Sequence, residues 1–278
     1  MTSKLTNLSN LTQRIIAAVV AIPLMVFAIF YNQWSYGVLF LLITLLTQRE
    51  FYKLLKLDEN LPLAFYGTFC GILIFVLTFL IEANILSFKY YYVIIPLLTA
   101  TFFIKLYKKN DKKPFLNLGY TFLGIIYVAM PFALINELVL QDSGYKPQLI
   151  MGCLLLLWAN DTGAYFAGRF LGRRKLFERV SPKKTWEGFF GGAITALAVA
   201  FILTKYFHDL LDWQWYGVAT IIFTTGTLGD LVESLFKRSI SIKDSGSMIP
   251  GHGGFMDRFD GLLLSIPFII TFLKIFSP

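Results

Sequence analysis

Long unbroken apolar runs constrain the fold of this chain more than any other feature. Crossing a hydrocarbon core about 30 Å thick takes about 20 predominantly apolar residues of helix, each advancing the chain about 1.5 Å. Such runs recur at roughly 15–31, 35–51, 63–82, 90–107, 119–141, 149–168, 188–207, 215–236 and 259–276, which predicts about nine transmembrane helices. Lipid offers no partner for backbone N–H and C=O groups, and long apolar runs satisfy those groups internally as helices. The expected fold class is therefore all-α, a polytopic integral membrane protein. Composition agrees: 15% of residues are charged, against about 25% in soluble domains, and the mean hydropathy is +0.64. The first run follows a basic stretch but lacks a small-residue cleavage site before Tyr31-Asn32-Gln33-Trp34, so it reads as a retained anchor and not a signal peptide.

The net charge of +8 would suggest nucleic acid in a soluble protein. Here the cations lie between apolar runs, where membrane orientation explains them and a nucleic-acid partner is not expected. With the N-terminus in the cytoplasm, alternating loops place 21 of the 25 Lys and Arg on the cytoplasmic side, leaving Lys89, Lys146, Lys205 and Lys274 opposite. Cys70 and Cys153 each sit inside an apolar run, which suits packing and suggests neither a disulfide framework nor a zinc site.

The two halves differ in kind. Residues 1–148 carry almost no polar residue within their spans and read as scaffold or as a surface for a homodimer. From 149 to 278 polar residues enter the spans themselves, at Asn160-Asp161-Thr162, Thr224-Thr225, Gly229-Asp230 and Glu233-Ser234. A carboxylate within a span is expensive unless it faces a partner, a cavity or an ion, so the site is expected in this half.

Three clusters carry chemistry. In Asp161-Thr162-Gly163-Ala164-Tyr165-Phe166-Ala167-Gly168-Arg169, Ala164 and Gly168 offer a small-residue face for close helix packing, while Asp161 is a candidate ligand for a metal or a nucleotide group. In Ser181-Pro182-Lys183-Lys184-Thr185-Trp186-Glu187-Gly188, Ser181, Pro182 and Thr185 read as a helix start, where free N–H groups, Lys183 and Lys184 suit an anion. The bland alternative there is a set of lysines resting on acidic lipid. The third cluster runs from Gly229-Asp230 to Asp260. Asp230, Glu233, Ser234 and Lys237 share one helical face, and a structural Glu233–Lys237 pair is a fair reading of two of them. Beyond these, Lys237, Arg238, Lys243 and Arg258 suit phosphates, and Asp244, Asp257 and Asp260 offer oxygen ligands to a hard metal ion. His252-Gly253-Gly254 lets backbone approach a ligand closely.

The residues Ser234, Phe236, Lys237, Arg238, Lys243, Asp244, Gly246, Ile249, Pro250, His252, Gly253, Gly254, Asp257, Arg258, Phe259 and Asp260 match throughout the pattern of the phosphatidate cytidylyltransferases, also called CDP-diacylglycerol synthases, and the chain resembles that family. The resemblance is strong over about residues 155–261 and rests on hydropathy alone in the first half.

The resemblance implies a magnesium-dependent reaction of CTP with phosphatidate, giving CDP-diacylglycerol and pyrophosphate. It implies a catalytic set of Lys237, Arg238, Lys243, Asp244, His252 and Arg258, and substrate contacts from Ser181, Lys183, Lys184, Thr185, Gly253 and Gly254. Asp230, Asp257 and Asp260, with Asp161 nearby, would hold one or two cations. The expected setting is a bacterial inner membrane, with the site at the cytoplasmic helix ends and open to soluble CTP and to lipid. Another CTP-dependent lipid kinase or nucleotidyltransferase would use similar chemistry. An ion-coupled transporter would also need acids within its spans but would not need the basic loop, and no inverted repeat is visible.

Overall fold

The computed structural model describes residues 10–57, 61–109, 111–242 and 253–276. Among them nine helical segments follow one another: α1 (Asn10–Tyr31), α2 (Gln33–Leu57), α3 (Ala64–Glu82), α4 (Phe88–Leu106), α5 (Pro114–Val139), α6 (Pro147–Leu171), α7 (Trp186–Tyr206), α8 (Asp212–Ser239) and α9 (Met256–Ile275). Six of these, α3 to α8, are long and apolar enough to cross a membrane, and the chain is an integral membrane protein. Two of the others, α2 and α9, are thinned by charge: Arg49, Glu50, Lys53 and Lys56 in the first, and Asp257, Arg258 and Asp260 at the start of the second.

Two short antiparallel hairpins interrupt the helices. In the first, β1 (Leu140–Gln141) pairs with β2 (Gly144–Tyr145). The second pairs β3 (Lys175–Phe177) with β4 (Ser181–Thr185), in the register Lys175↔Thr185 and Phe177↔Ser181. This corrects the expected helix start: Ser181 to Thr185 is a strand, Pro182 lies outside the helix, and α7 begins at Trp186. The boundary falls there because Thr185 is the N-cap, its extended backbone letting its hydroxyl accept the Gly188 N–H at 3.1 Å.

Helices in lipid gain little from the hydrophobic effect between them and associate through close packing and interhelical hydrogen bonds. Both devices are present. Tyr36, Phe40, Phe51, Tyr52, Phe75 and Phe132 are fully buried where α2, α3 and α5 meet. Asn136 on α5 accepts from the Tyr36 hydroxyl at 2.9 Å and donates to Phe75 O and Thr78 Oγ1 at 3.1 and 2.9 Å. Gln48 on α2 donates to Gly67 O at 2.9 Å, and the Tyr52 hydroxyl to Thr121 O at 2.7 Å. The expectation that the first half lacks polar residues in its spans is thus wrong for α2, where Thr44, Thr47, Gln48 and Glu50 are all buried. Between α6 and α7 the expected small-residue face does the packing, with Gly188 against Ala164 O and the Gly168 Cα.

Two π turns sit inside these helices, at Gly124–Ala129 in α5 and Ile222–Gly226 in α8. Rings join the two halves. Phe51 of α2 stacks on Phe236 of α8 with centroids 5.1 Å apart, and Phe132 of α5 meets Phe259 of α9 edge-on at 5.6 Å.

Candidate active site

Just past its π turn, α8 presents Asp230 and Glu233 three residues apart and therefore on one face. The first turns of α9 bring Asp260 against them. The approach is close because Gly229 has no side chain: a Cβ there would stand 2.7 Å from Asp260 O. One carboxylate oxygen from each of Asp230, Glu233 and Asp260 lies within 4.8 Å of the others. Three like charges so placed repel unless protons or a cation intervene.

Two buried oxygens at the cluster have no hydrogen-bond partner among the described residues: Glu233 Oε1 and the Tyr127 hydroxyl, which stands in the field of Glu233, Asp260 and Asp230. Tyr127 comes from the π turn of α5. An all-oxygen donor set with unspent lone pairs fits a hard divalent cation, and among the described residues the cluster has no nitrogen or sulfur ligand.

Cations surround the acids. Lys184 reaches from β4 to Asp230 Oδ2 at 2.6 Å and to Thr227 O at 3.3 Å. Lys237 bridges Glu233 Oε2 at 2.9 Å and Asp257 Oδ1 at 2.7 Å, with only 11% of its side chain exposed. The Glu233–Lys237 pair expected from helical spacing is therefore present, and it leaves Lys237 largely engaged by protein carboxylates. Lys183, Arg238 and Arg258 are exposed, Arg238 donating to Ile242 O at 3.1 Å. Asp161 on α6 is exposed and feels the charges of Asp230, Lys184 and Arg258.

Asp257 differs from expectation. It was expected beside Asp260 on one cation, but its carboxylate accepts from Lys237 and, through Oδ2, from the Gly254 N–H at 3.0 Å, while Glu233 takes the place in the cluster. The reason is local: Gly253, with φ of +87°, turns the chain so that the Gly254 N–H meets the first turn of α9. Ser181 is half-buried in β4, and Thr185 is buried with its hydroxyl occupied as the cap of α7. Thr224 and Thr225 bond back to carbonyls of their own helix, Thr225 also to Ser265 Oγ at 2.9 Å, so they belong to packing. Lys243, Asp244 and His252 lie outside the described residues.

Sequence reasoning overlooked Glu50, Phe51 and Tyr127, all from the first half, and named Glu233 among the polar residues of the spans without counting it as a metal ligand. Buried Glu50 on α2 accepts the Phe255 N–H at 2.8 Å, tying α2 to the residue before α9. A carboxylate inside an apolar run was the available signal, the same one that singled out Asp230.

The cytidylyltransferase family matches residues 12–276 of this chain. The phosphatidate cytidylyltransferase of Haemophilus influenzae is 34% identical over 283 residues, covering 94% of this chain and 98% of that protein. That of Bacillus subtilis is 37% identical over 187 residues, covering 67% of each. One from Staphylococcus aureus is 38% identical over 162 residues, 58% of this chain and 60% of its own.

Proposed function

The chain belongs to the cytidylyltransferase family, and we propose that it transfers the cytidylyl group of CTP to phosphatidate, giving CDP-diacylglycerol and pyrophosphate. The observation that carries the reading is the carboxylate cluster with its unspent oxygens, set against Lys184 within a chain alike along 94% of its length to an enzyme of that name.

A phosphate oxygen of phosphatidate attacks the α-phosphorus of CTP. A new P–O bond forms as the bond from that phosphorus to the bridging oxygen breaks, and pyrophosphate leaves with the electron pair. The nucleophile is already an anion, so no Ser-His-Asp apparatus is needed, and the protein contributes mainly position and charge. Asp230, Glu233 and Asp260 would hold a divalent cation, taken to be magnesium, which when bound would supply charge neutralisation to the phosphates. Asp161, whose field overlaps that of Asp230, would serve a second ion. Lys184, released from Asp230 by an incoming phosphate, binds that phosphate, and Lys183, Arg238 and Arg258 add positive charge at the exposed rim. Lys237 and Asp257 act by position, locking the start of α9 to α8. Gly253 and Gly254 give substrate close access to the backbone.

The reading extends to topology. All nine helices cross an inner membrane with the N-terminus in the cytoplasm, which puts β4, the end of α8 and the start of α9 on the side where CTP is found. Cysteines introduced at Lys112 and Ser247 are then labelled from the cytoplasm and one at Lys146 from outside; opposite accessibility of the first two breaks the nine-span arrangement. The activity is tested with purified protein, labelled CTP, phosphatidate and magnesium, by following label into the lipid phase. Label appearing with a polyprenol and not with phosphatidate would move the protein to another CTP-dependent lipid reaction.

A further inference from the structure

The face of α2 turned away from the acid cluster lines a groove of about 430 Å³ against the start of α3, within the range of about 300–1,000 Å³ usual for small-molecule sites. At about 100° per residue, Arg49, Lys53 and Lys56 centre about 150° around the helix from Glu50 and Phe51, which face α9 and α8. The groove therefore stands apart from the candidate active site.

Its lining is graded along its length. Lys56 and Lys53 occupy the end near the start of α3, beside Phe65, and Arg49 stands a turn further in, level with Phe69 because Tyr52 meets Gly67 and Gln48 meets Gly71. Phe69 and Ile72 line the part further along α3. From Lys56 to Leu45, the deepest lining residue of α2, the helix rises roughly 16 Å. No carboxylate is found among the described lining residues. The three cations are exposed and without an acidic partner among the described residues, whereas Lys105, Lys184, Lys237 and Lys274 are each paired. Phe65, 89% exposed, and Phe69 present apolar surface that only lipid can cover favourably in a membrane.

We propose that this groove is a second lipid site, binding an anionic phospholipid that is not the substrate. Its phosphate lies among Arg49, Lys53 and Lys56, and its acyl chains run along Phe69 and Ile72. Basic pockets between membrane helices hold anionic headgroups in this way, and three cations at one headgroup discriminate against a zwitterionic lipid of the same chain length.

The test places a reporter in the groove. Phe69→Trp, read as the difference from the parent protein, is titrated in detergent with brominated phosphatidylglycerol or brominated phosphatidylcholine. The expected result is quenching at a several-fold lower fraction of the anionic lipid, with that preference lost in Arg49→Gln/Lys53→Gln/Lys56→Gln and kept in Arg49→Lys/Lys53→Arg/Lys56→Arg. Equal quenching by both lipids, or a preference that survives the neutral triple variant, overturns the proposal. Cytidylyl transfer by the neutral variant in phosphatidylcholine micelles is expected to keep its KM for phosphatidate within about two-fold. A rise of about ten-fold would make the groove the seat of the substrate and remove the second site.

Discussion

Buried polar groups around Asn136 and around the acid cluster are treated in opposite ways. Around Asn136 each polar atom meets a neutral partner: the Tyr36 hydroxyl, the Phe75 carbonyl and Thr78 Oγ1 close the network within hydrogen-bond distance.

 The acceptor in α3 is the Phe75 carbonyl, and the amide of Asn136 is spent on it and on Thr78. At the acid cluster three carboxylates are gathered within 4.8 Å, and two oxygens there, Glu233 Oε1 and the Tyr127 hydroxyl that α5 contributes, have no hydrogen-bond partner among the described residues. A closed network gives rigidity, because every donor removed leaves an acceptor stranded. An open, like-charged cluster is unstable by itself and is worth keeping only for something that binds there. An unpartnered oxygen alone does not mark the site, since Thr47 Oγ1 and Gln48 Oε1 on α2 also lack a partner among the described residues; three carboxylates drawn together do.

The largest effect is expected inside the cluster. Asp260→Asn should lower cytidylyl transfer by at least ~1,000-fold, through loss of a ligand at the charge being stabilised. Its thermal midpoint should hold or rise, since one like charge is removed. Near-parent turnover at ordinary magnesium would strip Asp260 of that role and erase the contrast. Next comes Lys184→Gln, with a fall in kcat/KM of ~100-fold, about 2.7 kcal/mol of barrier. Varying CTP and phosphatidate separately shows which phosphate it meets, and unchanged constants for both would leave it a juxtamembrane cation.

Glu50→Gln sharpens the comparison, because Glu50 belongs to the scaffold half yet holds Phe255. A fall in kcat of roughly 10-fold, with stability little changed and recovery in Glu50→Asp, would make α2 a positioning element of the site. No change in kcat would leave α2 passive. The smallest effect on turnover is expected for Asp111→Asn. Asp111 pairs with buried Lys105 and accepts from the Lys113 N–H at 2.9 Å and the Asn117 amide at 2.7 Å. Burial alone would raise its carboxyl, but those bonds outweigh it and hold it below the ordinary carboxylate range. The sign follows: its contribution is present above the unfolded value near ~3.9 and is lost as pH falls through the lower folded value. The variant should lose ~3–5 kcal/mol of stability, as when one partner of a buried pair is removed, and keep its kcat. A melting series from pH 7 down to about 3 checks this, the parent declining only at the acid end.

Much of this was legible in the chain. Hydropathy located the helices, most plainly the six whose runs are long and apolar enough to cross a membrane, and spacing alone paired Glu233 with Lys237. The acids Asp230 and Asp260 stood out as charges at or within spans. Partner choice was not legible. Which of Asp257 and Glu233 joins Asp260 depends on the turn at Gly253, and the contact of Glu50 with Phe255 joins residues 205 positions apart. The start of α7 was misplaced because Ser181-Pro182 imitates a cap, while the true one, Thr185, is decided by the pairing of β4 with β3.

The π turn at Ile222–Gly226 makes α8 sensitive to length in a way that no substitution reproduces. A π turn accommodates one residue more than the α-helix around it, so everything beyond Gly226 is set about 100° further round the axis than an unbroken helix would place it. Asp230 and Glu233 owe their aim at Asp260 to that offset. Deleting a single residue within Ile222–Gly226 would restore ordinary helical winding, keep the span long enough for the bilayer, and swing both acids off the face they share with α9. The helix would lose almost nothing as a helix, and the protein would lose its site.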